Sequence, residues 1–146
     1  MSRNIIIGKK SYITQALHKF IKDVEIFSAN ELDEFNIRKI QSKKKINLIF
    51  NNFYPSKLLN NLTFREYSDF EKLSIQKLTN ILSKISPKRV NKIIYTSSAA
   101  IYRLAENIDN QKKDELNREL YSSFKLASEK IILNYCSKNN LNYHIF

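Results

Sequence analysis

Three side chains in this sequence have the types and spacing for proton chemistry at a hydroxyl group: Ser98, Tyr121 and Lys125. Tyr121 and Lys125 are one helical turn apart, and residues so spaced share a helix face. A phenol, with a pKa of ~10, is a poor base at neutral pH. An ammonium beside it favours the phenolate and lowers that pKa. The pair is then an acid/base unit for moving a proton on or off a sugar or alcohol oxygen. Ser98 follows a short apolar strand at residues 93–95, in the run Thr96, Ser97, Ser98. From the mouth of that strand its hydroxyl can hold the same oxygen. A Tyr-x-x-x-Lys spacing by itself is usually an exposed helical pair. The serine-ended strand upstream and the helical run YSSFKLASEKIILNY make it a candidate site.

The order strand, TSSAAIY, polar connection, YSSFK, helix resembles the extended short-chain dehydrogenase/reductase family of NAD(P)-dependent nucleotide-sugar epimerases, dehydratases and reductases. The pattern of that family is a strand, S-S-x-x-V-Y-G and, further on, Y-x-x-x-K. The resemblance implies Ser98 as a hydrogen bonder to substrate and Tyr121 as the catalytic acid/base. It implies Lys125 as the residue that lowers the phenol pKa and contacts the cofactor ribose. It further implies a doubly wound, mostly parallel α/β sheet of Rossmann-like type, a nucleotide-sugar substrate and a place in polysaccharide biosynthesis. Arg103 stands where the family usually has Gly.

The elements that must position these residues follow from hydropathy. Residues 4–7 are a short apolar strand, Gly8 follows at once, and Ile13, Ala16, Leu17, Phe20 and Ile21 recur with helical period. Strand, glycine turn and helix open a dinucleotide-binding fold, where the helix N-terminus faces a pyrophosphate. The family fingerprint is G-x-x-G-x-x-G. Here Gly8, Ser11 and Thr14 occupy its three glycine positions. Ser11 offers an N–H and a hydroxyl, but a Cβ hinders close approach of backbone to phosphate. Lys9 and Lys10 supply cations. Gly8, Lys9, Lys10, Ser11, Tyr12 and Ile13 are therefore the expected cofactor contacts of this turn. A tight turn without ligand is the alternative.

Residues 24–27 are the second strand. An acidic residue at its end would bind the adenosine ribose hydroxyls. Ser28 and Asn30 stand there instead, which with Lys9 and Lys10 gives a slight lean to NADP over NAD. The stretch ELDEFNIRKI resembles L-D-x-x-D/N-x-x-x-V of the reductase branch that acts on 4-keto sugar nucleotides, and implies Asp33 near the adenine. The alternative is a polar loop leading into a short helix at residues 35–44. Residues 46–50 are the third strand, and Asn51 after it fits the N-A-A-A variant found under the cofactor in relatives. Asn52, Phe53 and Tyr54 depart from that variant and crowd the dinucleotide unless they turn away. A long helix is expected over residues 64–85, and SIQKLTNIL within it aligns with the family's N-V-x-G-T-x-N-L-L. Pro87 ends it. Residues 103–120 read as a polar loop, with Arg103 and Arg118 able to meet a phosphate. A helix over residues 122–138 is expected to bury Phe124, Ala127, Ile131 and Tyr135, and residues 142–146 begin another strand. Strands alternating with helices predict a parallel sheet covered on both faces.

The chain has 146 residues, which predicts one NAD(P)-binding domain over its whole length. Its one cysteine, Cys136, excludes an internal disulfide and suits a reducing, cytoplasmic setting. No apolar run approaches the ~20 residues of a membrane span, and nothing resembles an export signal. His18, His144 and Cys136 lack metal-ligand spacing, so no metal is expected. The net charge of +11 permits a nucleic-acid partner. The lysines are spread along the chain, however, and Lys, Asn and Ile are all abundant while Gly, Pro and Trp are scarce. AT-rich coding explains that mixture, so nucleic acid is not the expected partner. A non-catalytic dinucleotide-binding or regulatory domain stays open. Relatives continue past the last strand into a smaller portion that holds the sugar nucleotide, so the chain reads as truncated before it. The resemblance also implies a homodimer through the Tyr/Lys helix and the long helix before it.

Overall fold

In the computed structural model, residues 2–32, 34–41, 44–51, 63–98, 101 and 113–146 are described, with backbone only for 34, 35, 41, 64 and 113–120. The strands are β1 (Arg3–Ile7), β2 (Val24–Phe27), β3 (Ile46–Phe50), β4 (Val90–Tyr95) and β5 (Asn142–Ile145). The helices are α1 (Tyr12–His18), α2 (Glu34–Gln41), α3 (Phe64–Glu71), α4 (Lys77–Lys84) and α5 (Lys113–Asn139). Successive strand residues point to opposite faces, yet Ile5, Ile6 and Ile7 of β1 are all fully buried. Both faces of the sheet centre are therefore covered, which explains the unbroken apolar runs of β1 and β3.

All strand pairs are parallel and the order is β2-β1-β3-β4-β5. The doubly wound parallel sheet expected from the sequence is thus present. From β1 the chain steps outward to β2, then crosses back to β3 on the other side. That reversal makes the cleft between the carboxyl ends of β1 and β3 a topological switch point. Register brings Ile7 beside Phe27 and Phe50, and Phe50 beside Tyr95. The residues that follow β1, β3 and β4 consequently emerge at one level. Right-handed crossovers put α1 on one face and α2, α4 and α5 on the other, and α4 packs on both α2 and α5. The main core lies on that second face. Ile5, Ile7, Leu48, Phe50, Ile93 and Tyr95 of the sheet meet Ile37, Leu78, Ile81, Leu82, Ile132 and Cys136 of the helices.

The helix expected over residues 64–85 forms with a π-helical turn, Lys72–Gln76, between α3 and α4. Its start is fixed by a capping box: Thr63 accepts from the Glu66 N–H, and Glu66 accepts from the Thr63 N–H. Inside the π turn the buried Ser74 hydroxyl donates to the Phe70 carbonyl at 2.7 Å, a bond that competes with regular helix geometry.

Four expectations are corrected. Helix α1 ends at His18; Ile13 is exposed and Phe20, beyond the helix, is 83% exposed, while Thr14 is the fully buried member. Helix α2 already includes Glu34, and Lys44 lies outside it. Helix α5 begins at Lys113, so the last part of the expected 103–120 loop is helical and Tyr121 lies inside the helix. The buried face of α5 is Ser122, Lys125, Ser128, Ile132 and Cys136. Ala127 is exposed, and Phe124, Ile131 and Tyr135 are half-buried at its flank. The stripe keeps helical period but begins polar, where α5 meets the strand ends. Ser128 is satisfied there by donating to the Phe124 carbonyl at 2.9 Å. No helix among the described residues is long and apolar enough to cross a membrane.

Candidate functional site

Thr96, Ser97 and Ser98 leave β4 at its carboxyl end, directly beside the residue that follows β3. The Thr96 N–H donates to the Phe50 carbonyl at 3.0 Å, and the Ser97 N–H to the Phe146 carbonyl at 2.6 Å. These bonds hold the strand end between its neighbours and present Ser98 toward α5. There Ser98 hydrogen-bonds the Tyr121 phenol. One turn further along α5, the Lys125 ammonium donates to the Thr96 carbonyl at 2.8 Å. It stands 4.9 Å from the Tyr95 ring centre and 5.9 Å from that of Tyr121, within cation–π range of both. Ser98, Tyr121 and Lys125 therefore come together as the sequence predicts. The Tyr121 ring is backed edge-on by Phe70 at 6.5 Å, and Phe70 packs on Phe124 at 5.3 Å. The π turn beginning two residues after Phe70 is part of this support.

The electrostatics differ from expectation. Burial pushes the Tyr121 phenol above its ordinary pKa, and the Ser98 hydrogen bond pulls the other way. The Lys125 ammonium is directed at the Thr96 carbonyl and lies beside the phenol ring. Lys125 is only 2% exposed. Burial draws its pKa down to about 8, with Glu129 opposing. A charged form is costly in such a place unless it is hydrogen-bonded.

At the switch point Gly8 follows β1 with φ of 130°, a conformation that favours glycine. Its N–H and that of Lys9 both donate to the Phe27 carbonyl, at 2.8 and 3.2 Å. Ser11 is 6% exposed and Thr14 is fully buried. Both hydroxyls face Asn51, whose Nδ2 reaches Thr14 Oγ1 at 2.8 Å and Ser11 Oγ at 3.4 Å. Asn51 is itself 0% exposed, and its Oδ1 accepts from Thr96 Oγ1 at 2.9 Å. A buried polar chain thus runs from the β1–α1 turn through Asn51 and Thr96 to Lys125. The Cβ atoms expected to obstruct the turn are directed inward. Tyr12 and Ile13 are exposed at the start of α1, as is Lys10 in the turn.

One residue at this edge escaped the sequence reading. Glu31 folds back so that its carboxylate accepts from the Ser28 N–H at 2.7 Å and from Lys9 Nζ at 3.0 Å. The hydrogen bond to Ser28, then that to Lys9, hold its carboxyl below the usual range. An acid thus lies four residues past β2, returned to the strand end by its bond to Ser28 and paired with Lys9. The signal was there: Glu31 stands three residues after Ser28, close enough for its side chain to return to the N–H that follows the strand. Asp33, Asn52, Phe53, Tyr54 and Arg103 lie outside the described residues, as does the Arg118 side chain.

A doubly wound parallel sheet with a glycine turn at its switch point, and a Ser, Tyr and Lys gathered at the next strand end, makes this an α/β protein of Rossmann-like type. A model of the NAD dependent epimerase/dehydratase family matches residues 4–146. The chain belongs to that family. No curated protein sequence matches it. Among solved structures it is similar to a UDP-N-acetylglucosamine 4-epimerase from Methanobrevibacter ruminantium in complex with UDP-N-acetylmuramic acid, with TM-score 0.69 and 12% identity, covering 99% of this chain and 53% of that one. It is similar to a Thermus thermophilus UDP-glucose 4-epimerase in complex with NAD, with TM-score 0.67 and 13% identity, covering 98% and 53%. It also resembles a GDP-mannoheptose C4 reductase from Campylobacter jejuni with NADP bound, with TM-score 0.66 and 13% identity, covering 99% and 46%. The chain spans about half the length of these structures.

Proposed function

We propose that this chain is the dinucleotide-binding part of an NAD(P)-dependent epimerase, dehydratase or reductase acting on a nucleotide sugar. The observation that carries the reading is the convergence of Ser98, Tyr121 and Lys125 beside the switch-point cleft. The turn fits a dinucleotide: Gly8 has the required backbone, and the side chains in the other two fingerprint positions are turned inward. Helix α1, with seven residues, adds only a small dipole, so the turn backbone and Lys10 do most of the holding. Glu31 at the end of β2 favours NAD over NADP, because a carboxylate repels a 2′-phosphate and accepts from ribose hydroxyls. Family membership supports a nicotinamide cofactor, which when bound gives or takes hydride at a sugar carbon. Tyr121 passes the proton at the adjoining oxygen while Ser98 holds that oxygen. Lys125 anchors the end of β4 through Thr96 and keeps a donor beside the phenol.

A second reading is a domain that binds the dinucleotide without turnover. It is favoured by the Lys125 ammonium pointing at the Thr96 carbonyl, and by the raised phenol pKa. Fluorescence titration with NADH and NADPH tests what the two readings share. Saturable binding of one dinucleotide is the expected result, and no binding of either at millimolar levels removes both. Turnover in a form carrying the sugar-nucleotide portion then separates them.

A further inference from the structure

The two fingerprint positions without glycine are the least expected feature of the turn, and the structure points to what compensates for them. In G-x-x-G-x-x-G, glycine matters because a Cβ would stand between backbone and phosphate. Here the Cβ atoms of Ser11 and Thr14 are present, but both side chains are buried and held by one amide. Asn51 Oδ1 faces β4 and accepts from Thr96 Oγ1 at 2.9 Å, and the Thr96 hydroxyl also lies 3.3 Å from the Phe50 carbonyl. Asn51 Nδ2 faces the β1–α1 turn and donates to Thr14 Oγ1 and Ser11 Oγ. The Asn51 N–H is itself anchored to the Ile7 carbonyl at 2.8 Å, so the amide cannot drift away from the turn it grips.

We propose that Asn51 stands in for the two missing glycines, holding the Ser11 and Thr14 side chains inside so that the turn backbone stays open to the pyrophosphate of a dinucleotide. The proposal rests on the functional reading above and goes beyond it in assigning the role. Asn51, fully buried, is a positioning residue and not a ligand contact. A hydroxyl of limited length on each partner is what Asn51 can reach, which accounts for Ser and Thr at these positions. Because Thr96 also carries Lys125, the same amide fixes the distance between the phosphate turn and the Tyr121–Lys125 pair.

The test is a rescue experiment. Asn51→Leu keeps much of the volume and removes both grips. Dinucleotide affinity is expected to fall about tenfold, the scale of a lost buried hydrogen bond. Adding Ser11→Gly and Thr14→Ala to that variant removes the released side chains and is expected to restore about threefold or more, since the obstruction is gone. A merely structural Asn51 predicts the opposite, a further loss in the triple variant. Should Asn51→Leu fail to fold, Thr14→Val keeps the bulk and deletes one acceptor; it weakens binding, and Thr14→Ala, which deletes the same acceptor without the bulk, binds more tightly than Thr14→Val. Amide hydrogen exchange across residues 8–15 gives an independent readout and is expected to quicken in either starting variant. Unchanged affinity in Asn51→Leu, no rescue in the triple variant, or Thr14→Ala binding no tighter than Thr14→Val overturns the proposal alone. A wild-type chain that binds neither NADH nor NADPH overturns the functional reading, and the proposal with it.

Discussion

Replacing Lys125 by Met exposes the energetic consequence of burying an amine where α5 meets the end of β4. Lys125 is 2% exposed, and its pKa is drawn from 10.5 to about 8. Below about pH 8 folded and unfolded chains both hold the proton, and the folded state bears the full cost of a buried ammonium. Between about pH 8 and 10.5 the unfolded chain holds more protons, so stability rises with pH. The whole span corresponds to ~3 kcal/mol at ~1.4 kcal/mol per pKa unit. Other groups oppose it at higher pH. Burial lifts the Cys136 thiol from 9.0 to about 11, and burial also raises Tyr121 and Tyr135. As pH passes about 9 the unfolded chain loses those protons first, and stability falls. The useful window is therefore about pH 8 to 9, where Lys125 contributes a gain of ~1 kcal/mol; Lys77, also drawn down by burial, and Cys136 are common to both proteins and cancel in the comparison. The groups facing its amine are the Tyr95 and Tyr121 rings and the Thr96 carbonyl, with Glu129 a turn along. Urea unfolding followed by circular dichroism at about pH 7, 8 and 9, with the denaturant slopes checked for equality, measures the gain. Wild type should stabilise across the window relative to Lys125→Met. The absolute stability of the variant at neutral pH is less informative, because it also leaves the Thr96 carbonyl short of a donor. Equal pH slopes for the two proteins would refute the argument that this lysine is buried as an amine with a depressed pKa.

Three further outcomes are expected. In a form carrying the sugar-nucleotide portion, Tyr121→Phe should lower kcat by about 10²- to 10⁴-fold with little change in dinucleotide affinity; surviving turnover removes the acid/base assignment. Glu31→Gln should free Lys9 and raise NADPH affinity relative to NADH by a few-fold, roughly the effect of a single exposed charge pair; calorimetric titration reads the ratio, and an unchanged ratio shows that Glu31 does not choose the cofactor. The groove between α4 and α5, with Leu82, Ile131 and Tyr135 among its lining residues, is where the resemblance puts a second copy. Light scattering should then report a dimer that Ile131→Asp converts to monomer, and a monomeric wild type ends that expectation.

The fold was legible because its strands are unambiguous. RNIII, INLIF and VNKIIY are apolar runs too short for helices, with helical periods between them, and that alternation leaves few topologies. The site was legible through Ser98 just past the end of β4 and through Tyr121 and Lys125, whose spacing reports a shared helix face. What escaped was set by polar partners. The buried stripe of α5 starts with Ser122, Lys125 and Ser128, and a search for apolar periodicity slid to Phe124 and Ala127 instead. Thr14 took the inward position of α1 because Asn51, far away in sequence, offers its hydroxyl a donor. Glu31 was passed over because the reading looked for an acid immediately after β2, not one returned to the strand end by a turn.

These departures share a cause. The carboxyl edge of the sheet is where strand carbonyls end, and each one needs a donor once it is covered. A glycine-rich turn would meet that need by letting backbone approach backbone. This chain, with Gly8 its only glycine, meets it with side chains. Thr96 and Lys125 serve the carbonyls of Phe50 and Thr96, and Asn51 joins those groups to Ser11 and Thr14. A side-chain network of this kind is more easily broken than a glycine turn, since losing one member strands several others. It also does what a glycine turn cannot: it makes the spacing between the β1–α1 turn and the Tyr121–Lys125 pair a property of one amide. On that view, substitutions at Asn51 and Thr96 should disturb cofactor affinity and proton transfer together, whereas substitutions at Lys10 should touch affinity alone.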